Sequence, residues 1–195
     1  MWKYLIAGLL VAAAIAPAGC DIFDPRAPEK PGEQSNEWPW VVPSRPKDVF
    51  VNLTSGLASP LNSNYERSLD PMFTFIPSAD AEAVYPGKFA GWTKAVELDV
   101  LTRIKTLYLG ARTVQFGDEN LNFTVEDEQV GLATYEGAYS ITLNLGDGSP
   151  AVVYAGIAKF TIVQGTQGWV MTIWEDIQPN GPYPTSGILR GALRP

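Results

Sequence analysis

GWVMTIWEDI, Gly168 to Ile177, places Trp169, Met171 and Ile173 at alternate positions, the period-two pattern of a strand with one face buried. The same period runs through the stretches before it. Val152, Tyr154, Gly156, Ala158, Phe160 and Ile162 alternate, as do Tyr139, Ile141, Leu143 and Leu145, and further upstream Leu121, Phe123 and Val125. Between the last three runs lie GDGS and QGTQG, short loops of the kind that join antiparallel neighbours. From Gly110 onward the chain therefore reads as an antiparallel meander.

Upstream of Gly110 the period lengthens to that of a helix. Pro46 at a first helical position, then Val49, Phe50, Leu53 and Leu57, predicts one helix ending before Pro60. A second, short one carries Asn62 or Ser63 as its cap and turns Tyr65 and Leu69 inward. DPMFTFIP alternates Phe73 and Phe75 as a short strand closed by Pro77, and residues 77–91 read as a loop. Thr93 caps the longest helix, whose apolar face is Val96, Val100, Leu101, Ile104, Leu107 and Tyr108. Helices followed by a long sheet make an α+β domain with the helices on one face of the sheet.

This order of helix, short helix, Phe73-x-Phe75 strand, long helix and meander, together with Trp92, Glu97, Trp169 and Trp174-Glu175-Asp176, resembles the nuclear transport factor 2-like superfamily. The resemblance spans roughly residues 45–190. It implies a strongly bent antiparallel sheet wrapped around the long helix as a cone. Another cystatin-like α+β sheet is the alternative.

Three carboxylates are candidate acids or bases. Alternation sends Trp174 and Asp176 to one face of the last strand and Glu175 to the other, so Asp176 faces the cone if Trp174 does. A carboxyl in an apolar pocket has a raised pKa and can exchange protons, as the resemblance to ketosteroid isomerases of this superfamily implies. The competing reading hydrogen-bonds Asp176 to a neighbouring loop or to Arg190. Glu97 and Asp99 sit in the first turns of the long helix, where a carboxylate is already favoured by the helix dipole. Phe73, Phe75, Trp92, Tyr139, Tyr154, Trp169 and Trp174, with Tyr135 and Phe160, either line a ligand pocket or pack against the helix. Asp118 to Gln129 imitates a calcium loop but has Phe123 where glycine is required and Gln129 where a bidentate glutamate is required. Asn52-Leu53-Thr54 matches a glycosylation sequon inside a predicted helix.

The amino-terminal residues point to a location. Lys3, an apolar run from Leu5 to Ala16, and the small pair Ala18-Gly19 before Cys20 have the parts of a signal peptide, too short to span a bilayer. Ala18-Gly19-Cys20 resembles the lipobox of bacterial lipoproteins, with Pro17 where that family usually has leucine. The resemblance implies removal of residues 1–19 and acylation of Cys20, a lipid-bilayer anchor facing the periplasm or exterior of a bacterial envelope. Asp21 matches the enteric inner-membrane retention signal, which differs between lineages, so either membrane is open. Residues 20–45, with prolines at 25, 28, 31, 39 and 43, read as an acylated tether. About 20 such residues extend on the order of 60 Å. Trp38 and Trp40 are its candidate docking points, and residues 46–195 form the single domain.

Composition narrows the chemistry. The chain has no histidine and one cysteine, so it cannot form a Ser-His-Asp or Cys-His pair or the usual zinc, copper or haem sites; no metal or cofactor is expected. Without Lys3 it carries 13 basic and 21 acidic side chains, a net −8 that repels nucleic acid and anionic lipid surfaces. The expectation is a non-catalytic, membrane-anchored domain that binds a small apolar ligand or a protein partner, a homodimer through the sheet included. The alternative is an isomerase or dehydratase working with pocket carboxylates and tyrosines.

Overall fold

In the computed structural model GWVMTIWEDI is strand β6 (Gly168–Ile177), but its alternation breaks in the middle. Opposite it runs β5 (Val152–Gly165), and the register passes from Ile162↔Met171 to Thr161↔Ile173, leaving Thr172 as an extra residue. This bulge shifts the phase by one. Trp169 and Met171 face inward before it, Trp174 and Asp176 face inward after it, and Ile173, expected inside, is only half-buried. A bulge thus re-aims Trp174 and Asp176 into the core.

The structure describes residues 38–117, 123–127, 129–179 and 181–194. The chain divides into two units, Met1–Ser35 and Asn36–Pro195, and all described residues lie in the second. Cys20, the signal segment, most of the tether and half of the calcium-like segment lie outside the described residues.

The order is α1 (Asp48–Ala58), α2 (Ser63–Arg67), β1 (Leu69–Ile76), α3 (Ala79–Val84), α4 (Lys94–Leu107), β2 (Arg112–Phe116), β3 (Phe123–Asp127), β4 (Leu132–Leu143), β5, β6 and α5 (Ser186–Leu193). The sheet runs β1-β6-β5-β4-β2, with β3 also paired to β4. The meander is antiparallel as expected, but β1 lies parallel to β6, with Phe75 opposite Trp174, so the sheet is mixed. No hairpin ties these two strands, which are about a hundred residues apart. Their pairing follows from apolar faces that periodicity within either strand does not relate.

Two helices escape the sequence reading. Residues 77–91 contain α3, whose Ala-Asp-Ala-Glu-Ala run forms helix readily once Pro77 and the Pro86-Gly87 turn bound it. Beyond β6, α5 brings Leu189 and Arg190 into the core. The long helix α4 starts as expected, with Thr93 Oγ1 accepting from the Val96 N–H at 3.4 Å. Val100, Leu101, Ile104 and Tyr108 are buried, whereas Leu107 at its last turn is exposed.

Residues 38–43 lie on the domain. Buried Asn52 exchanges two hydrogen bonds with the Val41 backbone, at 2.8 and 2.7 Å, so the sequon asparagine is engaged inside the fold. The Trp169 N–H donates to the Pro43 carbonyl at 2.8 Å, and the Arg67 guanidinium stacks 3.9 Å over Trp40. No helix among the described residues is long and apolar enough to cross a membrane.

Candidate functional site

Glu97 points from the first turn of α4 into the core, where it is almost wholly buried. Tyr65 Oη donates to its Oε1 at 2.8 Å and Trp92 Nε1 to its Oε2 at 3.0 Å. Arg190 reaches it from α5, with Nη2 2.8 Å from Oε1 and Nε 3.0 Å from Oε2. The guanidinium lies 4.4 Å from the Phe75 ring and 4.1 Å from that of Trp174. Burial pulls the Arg190 pKa down, but the charge of Glu97 more than compensates and raises it. Burial, then Glu97, push Tyr65 well above the usual phenol range. Both oxygens of Glu97 are thus occupied by two donors each, and the pair is a closed, buried salt bridge.

Asp176 is buried in a different company. Tyr139 Oη donates to Oδ1 at 2.6 Å, the Gly187 N–H to Oδ2 at 2.6 Å, and Ser78 Oγ to Oδ2 at 3.4 Å. Tyr139 Oη in turn accepts from the Ser186 N–H at 2.7 Å, so the first two N–H groups of α5 are satisfied by the sheet. Ser78 and Thr185 hydroxyls are 2.7 Å apart beside them. Two glycines permit the approach: a Cβ on Gly156 would stand 2.6 Å from Tyr139 Oη, and one on Gly187 2.7 Å from the Ala81 Cβ. Burial holds the Asp176 carboxyl above its ordinary pKa, opposed by the hydrogen bonds from Tyr139 and Gly187 and by the more distant charge of Arg190. Burial and Asp176 likewise push Tyr139 above the usual phenol range. Arg190, the partner considered for Asp176 from sequence, pairs with Glu97 instead.

Beside the Glu97–Arg190 pair is a cavity of about 30 Å³, lined by Leu53, Leu57, Leu101, Ile104, Val114, Ile141 and Leu189 along with Tyr65, Phe116, Trp174 and the pair itself. Of the seven candidate pocket aromatics, Trp174 borders it. Phe75 and Trp92 pack together at 5.4 Å between ring centroids, and Phe89 stacks on Trp92. Tyr139 meets Trp174 edge-on at 5.9 Å. Phe73 and Trp169 are buried core residues, and Tyr154 is half-buried. Tyr135 and Phe160 stack on each other at 5.7 Å. Asp99 is exposed on the outer side of α4 and joins neither cluster. Among the described residues no group of three or more Cys, Asp or Glu is placed to hold a metal ion.

Sequence reasoning missed Tyr65 and Trp92 as donors to Glu97, and Ser78, Thr185 and Ser186 around Asp176. A usable signal was present in Thr185-Ser186 ahead of Ile188, Leu189 and Leu193, the cap and spacing of an amphipathic helix.

No family model matches the chain, and no curated protein matches it in sequence. Solved structures do match in shape. The Kfla4162 protein of Kribbella flavida is 12% identical over 74% of this chain and 93% of its own, with a TM-score of 0.55. A nuclear transport factor 2-like protein with a cystatin-like fold from Novosphingobium aromaticivorans is 12% identical over 69% and 80%, with a TM-score of 0.52. A candidate scytalone dehydratase from the same organism is 12% identical over 71% and 89%, with a TM-score of 0.53. At such identities the likeness shows the fold, and the fold is the nuclear transport factor 2-like, cystatin-like α+β arrangement with a mixed six-stranded sheet.

Proposed function

We propose that the protein is a lipid-anchored component of a bacterial envelope, held by acylated Cys20, whose domain binds a partner at its surface and catalyses no reaction. The observation that carries the non-catalytic reading is the filled interior. Pockets for small molecules run to about 300–1,000 Å³. The cavity here is about 30 Å³, room for little more than water, and the carboxylate beside it is saturated by Tyr65, Trp92 and Arg190. A base must have a free lone pair within reach of substrate. Glu97 offers none without separating a buried ion pair. The anchor reading is supported by the Ala18-Gly19-Cys20 sequence alone.

With the interior filled, a protein partner is favoured over a small apolar ligand. The outer face of β5 presents half-buried Val153, Ala155, Ile157, Thr161 and Val163 around a single exposed charge, Lys159. A second copy of the chain is one partner that such a face fits.

The alternative, an isomerase or dehydratase, draws on Asp176: a buried carboxyl of raised pKa at 2.6 Å from a tyrosine is a proton-exchanging pair. Against it, Asp176 is closed in by the start of α5.

One preparation tests both parts. Cys20→Ser is expected to move the protein from membranes to the soluble fraction and to end fatty-acid labelling. The released protein, monodisperse by light scattering, is then titrated with an apolar fluorophore. No saturable one-to-one binding is expected. Continued labelling refutes the attachment site, and one-to-one binding abolished by Leu101→Trp restores the small-ligand pocket and refutes the filled interior.

A further inference from the structure

We infer that the end of the domain carrying Trp38, Pro60, Leu61 and Leu109 is its bilayer-facing surface, resting in the interfacial layer of the membrane to which the chain is anchored. The inference rests on the proposed acylation of Cys20.

Two observations converge there, and the tether is long enough to allow the contact. First, the patch is apolar and outward. Leu61 is 67% and Leu109 74% exposed, Leu107 at the end of α4 49%, and Trp38, Pro60 and Leu109 line one surface groove. Isolated exposed leucines need no explanation, but a cluster with a tryptophan has the composition that lies at the boundary of headgroups and acyl chains.

Second, the end of α1, which faces this surface, has its carbonyls satisfied. Helix C-termini normally present unpaired carbonyls. Here Lys105 Nζ donates to the Gly56 and Leu61 carbonyls at 2.7 and 2.6 Å. Arg112 donates to those of Leu57 and Ala58 at 3.2 and 3.0 Å, and to that of Tyr108 at 2.7 Å. The end of α1 therefore shows side chains, not orphan carbonyls, and unsatisfied backbone is a main cost of placing a helix end against lipid.

Trp38, the described residue nearest in sequence to Cys20, is fixed at this end. Asn64 Nδ2 holds the Trp38 and Pro39 carbonyls at 3.1 and 3.3 Å, and from Trp38 the strap runs away to Pro43 beside Trp169. Seventeen residues separate Cys20 from Trp38. Even extended they reach about 55 Å, which lets any face touch the bilayer, so the surface with the greatest preference for lipid decides. Tethering raises the effective concentration of that surface at the membrane to the order of millimolar, so a weak insertion becomes populated.

The contrast that tests this lies at the far end of β4. The Gly110 N–H donates to the Asn144 carbonyl just beyond Leu143, whereas Val130 precedes Leu132, about 40 Å away along the strand. Val130 is 72% exposed, matching Leu109, and sits at a turn. Full-length acylated protein carrying Leu109→Cys or Val130→Cys is labelled with a nitrobenzoxadiazole fluorophore and reconstituted in phosphatidylcholine vesicles containing nitroxide-labelled lipid. Flotation reports the anchor independently. The expected result is that both variants float and that the label at 109 is blue-shifted and quenched several-fold more than the label at 130. Equal quenching in floating protein overturns the face while leaving the anchor standing. Failure of both to float removes the anchor and this surface with it. The same labels in lipid-free Cys20→Ser protein should be equally exposed to iodide; a protected 109 there means that protein, not lipid, covers the patch, and refutes the inference.

Discussion

Glu97 and Asp176 are two buried carboxylates in one domain with opposite electrostatic characters. Glu97 receives a guanidinium and two neutral donors, so its charge is matched in place. Asp176 receives a phenol and a backbone N–H, with the cation out of hydrogen-bond reach, and burial pushes it toward its neutral form. Burial alone therefore does not decide the state of an acid. The nearest cation does, and here α5 carries that cation to one carboxylate and its own first turn to the other.

The sharpest way to break this contrast is Arg190→Met. It strands Glu97 as an unpaired buried charge and should cost about 3–5 kcal/mol in urea unfolding, whereas adding Glu97→Leu should recover most of the loss. A loss under about 1 kcal/mol would mean that the charge of Glu97 is not held by Arg190 at all.

Asp176→Asn comes next, at about 1–3 kcal/mol, since the amide cannot accept from both Tyr139 and Gly187 as the carboxylate does. It also sharpens the comparison through pH. A folded pKa above the ordinary 3.8 means that the native state keeps a proton the unfolded chain has released. That contribution is fully present below 3.8 and is lost as pH rises through the folded value. Thermal melts between about pH 4 and 7 should show this component in the wild type and not in the variant. The smallest effect is expected of Asp99→Asn, within about 0.5 kcal/mol, because Asp99 is exposed and joins neither cluster.

Much of the architecture was legible before any coordinates. Thr93 and the helical spacing after it marked α4, the period-two runs marked β4, β5 and β6, and Phe73-x-Phe75 marked β1. Short, weakly periodic pieces were not: β2 has a single buried apolar residue, Val114, and α3 hides between Pro77 and Pro86. Glu97 and Asp176 were picked out as residues, but their roles were not. Arg190 was weighed for the wrong carboxylate because distance along the chain, 14 residues to Asp176 and 93 to Glu97, says nothing about distance in space.

What residue order by itself determined is local: which segments expose one apolar face and at what period, which reaction classes a chain without histidine cannot support, and the small-residue approach to Cys20. What only the tertiary structure decided is relational. The Thr172 bulge chose the face of Trp174 and Asp176, the parallel seating of β1 on β6 put Phe75 against Trp174, and α5 placed Arg190 on Glu97. Periodicity is set by bonds between neighbours, whereas the state of a buried charge is set by whatever the folded chain brings within a few ångströms of it.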